Sequence, residues 1–174
     1  MGSPWIDTRA KRFLDFLRER YQSDRGALAQ LRSGISLTKR PNLWPLLAPF
    51  PDAIGNEIFE IVAALWARDP GFSENGENLG HTLRKLGALY STFSGRFRRL
   101  LSCDANEIPS RIASVVSAAQ EKGVSVDYTR LLSDLLNWND RTRIEWAKAF
   151  WGSQETQKEE PAASLASSQG DVAP

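Results

Sequence analysis

An all-α fold of eight or nine short helices, packed as two small bundles, is what this sequence predicts, on three observations. Apolar residues recur at three- and four-residue steps through almost every segment. No stretch alternates with period two for long enough to make a strand. Asp, Asn, Ser, Gly and Pro interrupt the apolar stripes where helices start and stop. With 174 residues, 41% of them hydrophobic, the chain can bury a core without a disulfide or a structural metal.

Phe13, Phe16, Leu17 and Tyr21 place a first helix over about Thr8 to Tyr21. Ser23 or Asp24 caps a second through Ala27, Leu28 and Leu31, ending at Gly34. Pro41, Pro45, Pro49 and Pro51 break up the next stretch, leaving room for a short helical turn at Asn42 to Leu47. Asp52 is expected to open a helix with Ile54, Ile58, Ile61, Val62 and Leu65 on one face, stopped by Pro70. After a polar loop, Asn78 caps a helix whose apolar side is Leu79, Leu83, Leu86 and Tyr90. Ser94 caps a short one with Phe97, Leu100 and Leu101 inward. Asn106 is expected to cap a long helix carrying Pro109 in its first turn and striped by Ile108, Ile112, Val115, Val116 and Ala119, with Gly123 at its end. Asp127 starts a helix with Leu131, Leu132, Leu135 and Leu136. Asn139 or Asp140 caps the last, with Ile144, Ala147, Phe150 and Trp151.

The expected division is an N-terminal bundle over 1–70, a C-terminal bundle over 71–152, and a disordered tail over 153–174, a segment with one Leu, one Val and no aromatic residue. Charges rather than an apolar secretory segment follow Met1, and the single Cys103 suits a reducing compartment, so a cytoplasmic location is expected. No apolar run approaches the ~18–20 residues of a membrane span.

Chemistry-bearing motifs are absent. There is no P-loop, no glycine-rich dinucleotide fingerprint and no G-x-S-x-G. One histidine and one cysteine exclude schemes that need two of either. His81 reads as a surface side chain, and Cys103 as a small buried one. Asp52, Glu57 and Glu60 could together hold a metal for phosphoryl transfer, although one helix's polar face explains them more simply. No catalytic residue, cofactor or metal site is therefore expected. Of the six tryptophans, Trp44 in the proline-rich stretch is the least constrained, and could either pack the loop down or meet a partner.

Charge is more informative. Without the tail's one lysine and four acids, the net charge of +1 becomes +4. Arg25 to Pro51 holds four basic residues and no acid. Asp52 to Glu77 holds six acids and one arginine, and Asn78 to Cys103 holds five basic residues and again no acid. Such blocks fold either into solvated helix faces or into patches that attract phosphate backbones.

Ala29-Gln30-Leu31-Arg32, Ala48-Pro49-Phe50, Asn78-Leu79-Gly80, Gly95-Arg96-Phe97-Arg98-Arg99-Leu100-Leu101, Val126-Asp127-Tyr128, Asp134-Leu135-Leu136-Asn137-Trp138 and Trp146-Ala147-Lys148-Ala149-Phe150 follow in order along the chain. Over about residues 9–151, this order and spacing resemble the CasB small-subunit family of the type I-E CRISPR Cascade complex. The resemblance implies a helical non-enzyme, present as two head-to-tail copies in an RNA-guided surveillance complex. It also implies contact with other Cascade subunits, and with the guide RNA–target DNA duplex and the displaced DNA strand. Within that frame Arg84 and Lys85, Arg96 and Arg99, and Arg32 are expected to form the main phosphate track. Arg111, Arg141 and Arg143 are further candidates, the last two sitting where positive charge opposes a helix dipole. The alternative is a helical protein–protein adaptor that touches no nucleic acid.

Overall fold

The computed structural model describes residues 6–71 and 74–155, with side chains as far as Gly152; Trp5 and residues 156–174 of the expected tail lie outside them. Among the described residues there are nine α-helices and no strand: α1 (Thr8–Tyr21), α2 (Arg25–Ser33), α3 (Trp44–Leu47), α4 (Glu57–Trp66), α5 (Leu79–Gly87), α6 (Phe93–Ser102), α7 (Ile108–Glu121), α8 (Tyr128–Leu136) and α9 (Asp140–Glu155). The all-α expectation holds. Side-chain caps set many of the starts: Asp7, Asp24, Asn56, Asn78, Asp127 and Asn139 each accept a backbone N–H from the first turn of the helix that follows.

α4 organises the molecule. Every residue from Phe59 to Ala67 is buried, as expected of a helix apolar on all sides. It packs on α2, α7 and α8, while α1 lies on α8 and α5 on α9. One cluster of buried side chains runs continuously from Ala10 to Phe150. Under α1, Phe13 meets Phe59 edge-on with ring centroids 4.9 Å apart, and the Tyr21 hydroxyl donates to the Leu46 carbonyl at 2.6 Å. α5 and α9 approach so closely that a Cβ on Gly80 would run into the Trp146 carbonyl.

Several expected boundaries shift. Asp52 does not open α4. Pro51–Ala53 forms a 3-10 turn, Gly55 takes a φ of +75°, and Asn56 caps the helix instead, which leaves Ile54 largely outside the core. α6 starts at Phe93 after Thr92, so Ser94 lies inside it. Asn106 sits in a 3-10 turn, Ala105–Glu107, ahead of α7. The inward face of α9 is only partly the one expected: Phe150 is buried and Trp151 packs against the core, but Thr142, Trp146 and Ala149 are buried in place of Ile144, which is 53% exposed, and Ala147, which is half-buried. In this orientation the fully buried Trp146 indole donates from Nε1 to the buried Asp134 at 2.7 Å. α9 also continues to Glu155, past the expected start of the tail at residue 153.

Candidate nucleic-acid interface

α6 and α7 run back alongside one another, joined at one end by Cys103–Glu107. Between them lies a groove of about 300 Å³ lined by Arg96, Arg99, Glu107, Ser110, Arg111, Ser114 and Val115. Three of the arginines singled out from the sequence thus converge from two helices. The groove contains one acid, Glu107, whose Oε1 lies 3.6 Å from Arg111 Nη2 in an exposed i,i+4 pair. Such a pair is weak and screened by salt, so it opens easily to a stronger anion. The Arg96 guanidinium rests over the Phe93 ring at 5.5 Å.

Arg143 flanks the same end. Its guanidinium lies 5.4 Å from the Trp138 ring centroid, and its Nη1 is 3.7 Å from Asp140 Oδ1. Burial pushes the Cys103 thiol up, Glu107 adds to that, and the positive charges of Arg111 and Arg143 act against it. Both arginines are therefore within electrostatic reach of the residue that ends α6. The thiol, which donates to the Leu100 carbonyl, is buried as the sequence suggests.

The remaining candidates lie elsewhere. Arg84 and Lys85 are exposed in the last turn of α5, which packs on α6. Lys85 Nζ is 2.6 Å from Glu77 Oε2. Arg32 does not line the groove; its Nε donates to the Ala67 carbonyl at 2.8 Å, at the negative end of α4. Arg141 lies in a separate recess of about 430 Å³ shared with Asp7, Asp134 and Glu145, and its Nε is 3.2 Å from Glu145 Oε1. That surrounding is acidic, unlike the α6–α7 groove.

Two functional-looking cations escaped the sequence reading. Arg130 is buried and serves the fold, bonding Asp134 at 3.0 Å; its i,i+4 spacing from Asp134 was the available signal. Lys122 follows α7 on the stripe of Arg111, Ser114 and Ala118, and its Nζ lies over the Tyr90 ring. Two of the three acids are otherwise engaged, and Asp52 lies exposed in the 3-10 turn ahead of α4. Buried Glu60 accepts from Trp44 Nε1 and from the Gly55 N–H, each at 2.8 Å, and Glu57 faces Arg40 at 3.7 Å. Trp44 thus ties the proline-rich segment down onto α4. Among the described residues no group of three His, Cys, Asp or Glu is placed to hold a metal ion, and no helix is long and apolar enough to cross a membrane.

Residues 27–151 match the family profile described as CRISPR-associated protein Cse2. A protein of Thermus thermophilus named CRISPR-associated protein Cse2 is 29% identical over 161 residues, covering 86% of this chain and 94% of that protein. The crystal structure of CasB from Thermus thermophilus superposes with a TM-score of 0.66 at 29% identity, covering 82% of this chain and 97% of that one. CasB from M. ruber, 24% identical with a TM-score of 0.64 over 88% of this chain and 97% of its own, shares the fold. The helical order and these similarities agree: the chain belongs to the CRISPR-associated protein Cse2 family.

Proposed function

We propose that this chain is a non-catalytic small subunit of a type I-E CRISPR surveillance complex in the cytoplasm. It holds nucleic-acid backbone there, so that the guide RNA–target DNA duplex and the displaced strand persist during antiviral defence. Its partners are the guide RNA, both target DNA strands, the other Cascade subunits and a second copy of itself. The carrying observation is the convergence of Arg96, Arg99 and Arg111 on one groove, within a chain whose 78–103 segment has five cations and no acid.

In RNA-guided recognition, replacing a DNA duplex with an RNA–DNA heteroduplex is nearly balanced, so whatever binds the displaced strand tips the exchange toward the open state. A groove of arginines does this without reading bases. Each guanidinium gives paired donors to a phosphate and releases condensed counterions from the strand, which makes the grip steeply salt-dependent. No bond is made or broken by the protein.

Affinity isolation of the tagged chain from its native cells tests the assignment. Recovery with a short repeat-derived RNA and a set of larger subunits is expected. Recovery without RNA, together with no salt-sensitive shift of DNA by the purified chain, would instead favour a protein–protein adaptor.

A further inference from the structure

We propose that Tyr90, with Lys122, forms a stacking platform for an unpaired nucleobase at the open end of the α6–α7 groove, so that the groove prefers single-stranded nucleic acid to duplex. The inference rests on the reading of that groove as a backbone-binding surface and adds a base contact to it.

The two helices are tied at one end by Cys103–Glu107. At the other end Tyr90, just ahead of α6, meets Lys122, just past α7, with Nζ 4.6 Å from the ring centroid. Arg111, Ser114 and Ala118 on α7 and Lys122 at its C-cap recur at helical steps, so one face carries a cation at each end. Eleven residues of helix put those cations about 16 Å apart. On the other wall the Phe93 N–H donates to the Tyr90 carbonyl at 3.2 Å, and Arg96 and Arg99 follow at three-residue steps. The order along the groove is therefore an arginine pair, a third arginine, then an aromatic ring with a lysine.

Tyr90 continues the apolar stripe of α5, yet α5 ends at Gly87, and the ring is left 40% exposed beside Leu89, which is 68% exposed. Cations that track phosphates, interleaved with an accessible aromatic face, are what sequence-tolerant single-strand binding uses. Lys122 is a flexible point charge, able to leave the ring for a phosphate while a base takes its place on the ring. A duplex keeps its bases paired and offers only phosphates, so the ring adds nothing to duplex binding.

The test uses the full chain with a labelled oligothymidylate and a duplex of equal length, read by anisotropy across a salt series. Tyr90→Leu keeps apolar bulk and is expected to weaken single-strand binding by about 5- to 150-fold, with duplex affinity and the salt slope unchanged. Tyr90→Phe retains the affinity, and Lys122→Gln lowers the single-strand salt slope by about 0.7. In the unaltered chain, a 5-iodouracil oligonucleotide photocrosslinks at Tyr90, which requires no variant to fold. Unchanged single-strand affinity in Tyr90→Leu, an equal loss for both ligands, or crosslinks mapping elsewhere overturns the platform. If Arg96→Ala/Arg99→Ala weakens binding and Tyr90→Leu does not, only the platform fails. If the unaltered chain binds neither ligand in a salt-dependent way, the backbone-binding reading fails with it.

Discussion

Asp134 is 8% exposed, and both of its oxygens are held: Oδ1 by Arg130 Nε at 3.0 Å and Oδ2 by Trp146 Nε1 at 2.7 Å. Arg130 also lies 3.7 Å from Glu145. Burial raises the Asp134 pKa above its ordinary 3.8, against the hydrogen bonds from Trp146 and Arg130 and the charge of Arg130. The folded chain therefore keeps that proton to higher pH than the unfolded chain does. The stabilisation this gives is complete below 3.8 and is lost as pH rises through the folded value. Arg130→Met leaves a buried carboxylate without its cation and should cost about 3–5 kcal/mol at neutral pH. The cost should shrink as pH falls and Asp134 takes up its proton. Urea unfolding at several pH values measures both effects, and a pH-independent loss would contradict the assignment. Apolar periodicity did not point to this network: the i,i+4 spacing of Arg130 and Asp134 lies within α8, but Glu145 and Trp146 come from α9 and meet that pair only in the fold.

At the scale of elements, the loop between α4 and α5 is strapped down by charge. Glu74 Oε1 accepts from Thr129 Oγ1 at 2.9 Å and from Arg18 Nη2 at 3.1 Å, and Oε2 lies 3.8 Å from Lys11. The Gly76 N–H donates to Asp127 Oδ2 at 2.9 Å. Burial works against the Glu74 charge, but the hydrogen bonds from Thr129 and Arg18 and the charges of Lys11 and Arg18 outweigh it and lower its pKa below 4.5. Its contribution is thus present above 4.5 and lost as pH falls through the folded value. Glu74→Gln should cost less than about 1 kcal/mol at neutral pH, because the pairs are part-exposed, and should flatten the acid limb of the stability curve. Parallel pH titrations of both chains by urea unfolding check this.

Elements were also where the sequence was most and least legible. Helices α2, α5 and α8 start at caps that Asx residues marked, and α1 starts where periodicity put it, at a cap, Asp7, that was not singled out. The start of α4 was hidden by a proline-led turn, and part of the inward face of α9 by one tryptophan whose polar partner lies on α8. Among the basic residues, Arg96 and Arg99 could be paired by helix position alone. That Arg111 joins them, and that Arg32 and Arg141 do not, depends on how α6 meets α7, which is tertiary information.

At the scale of the whole molecule, contacts of α1 with α8 and of α4 with α7 and α8 join residues on either side of position 70 through one buried cluster. We propose that the two bundles, 1–70 and 71–152, melt together. Far- and near-ultraviolet circular dichroism should trace one coincident transition, and two separated transitions would contradict this. The proposed function depends at this scale on how a net charge of +4 over residues 1–152 is distributed. The groove brings three of those cations, Arg96, Arg99 and Arg111, together between α6 and α7 beside one acid, Glu107. The most direct measurement is the DNA affinity of the assembled complex across a salt titration, with the unaltered subunit and with Arg96→Ala/Arg99→Ala. Loss of two phosphate contacts predicts weaker binding and a salt slope shallower by about 1.4–1.8, with helicity unchanged. An unchanged affinity and slope would contradict the account.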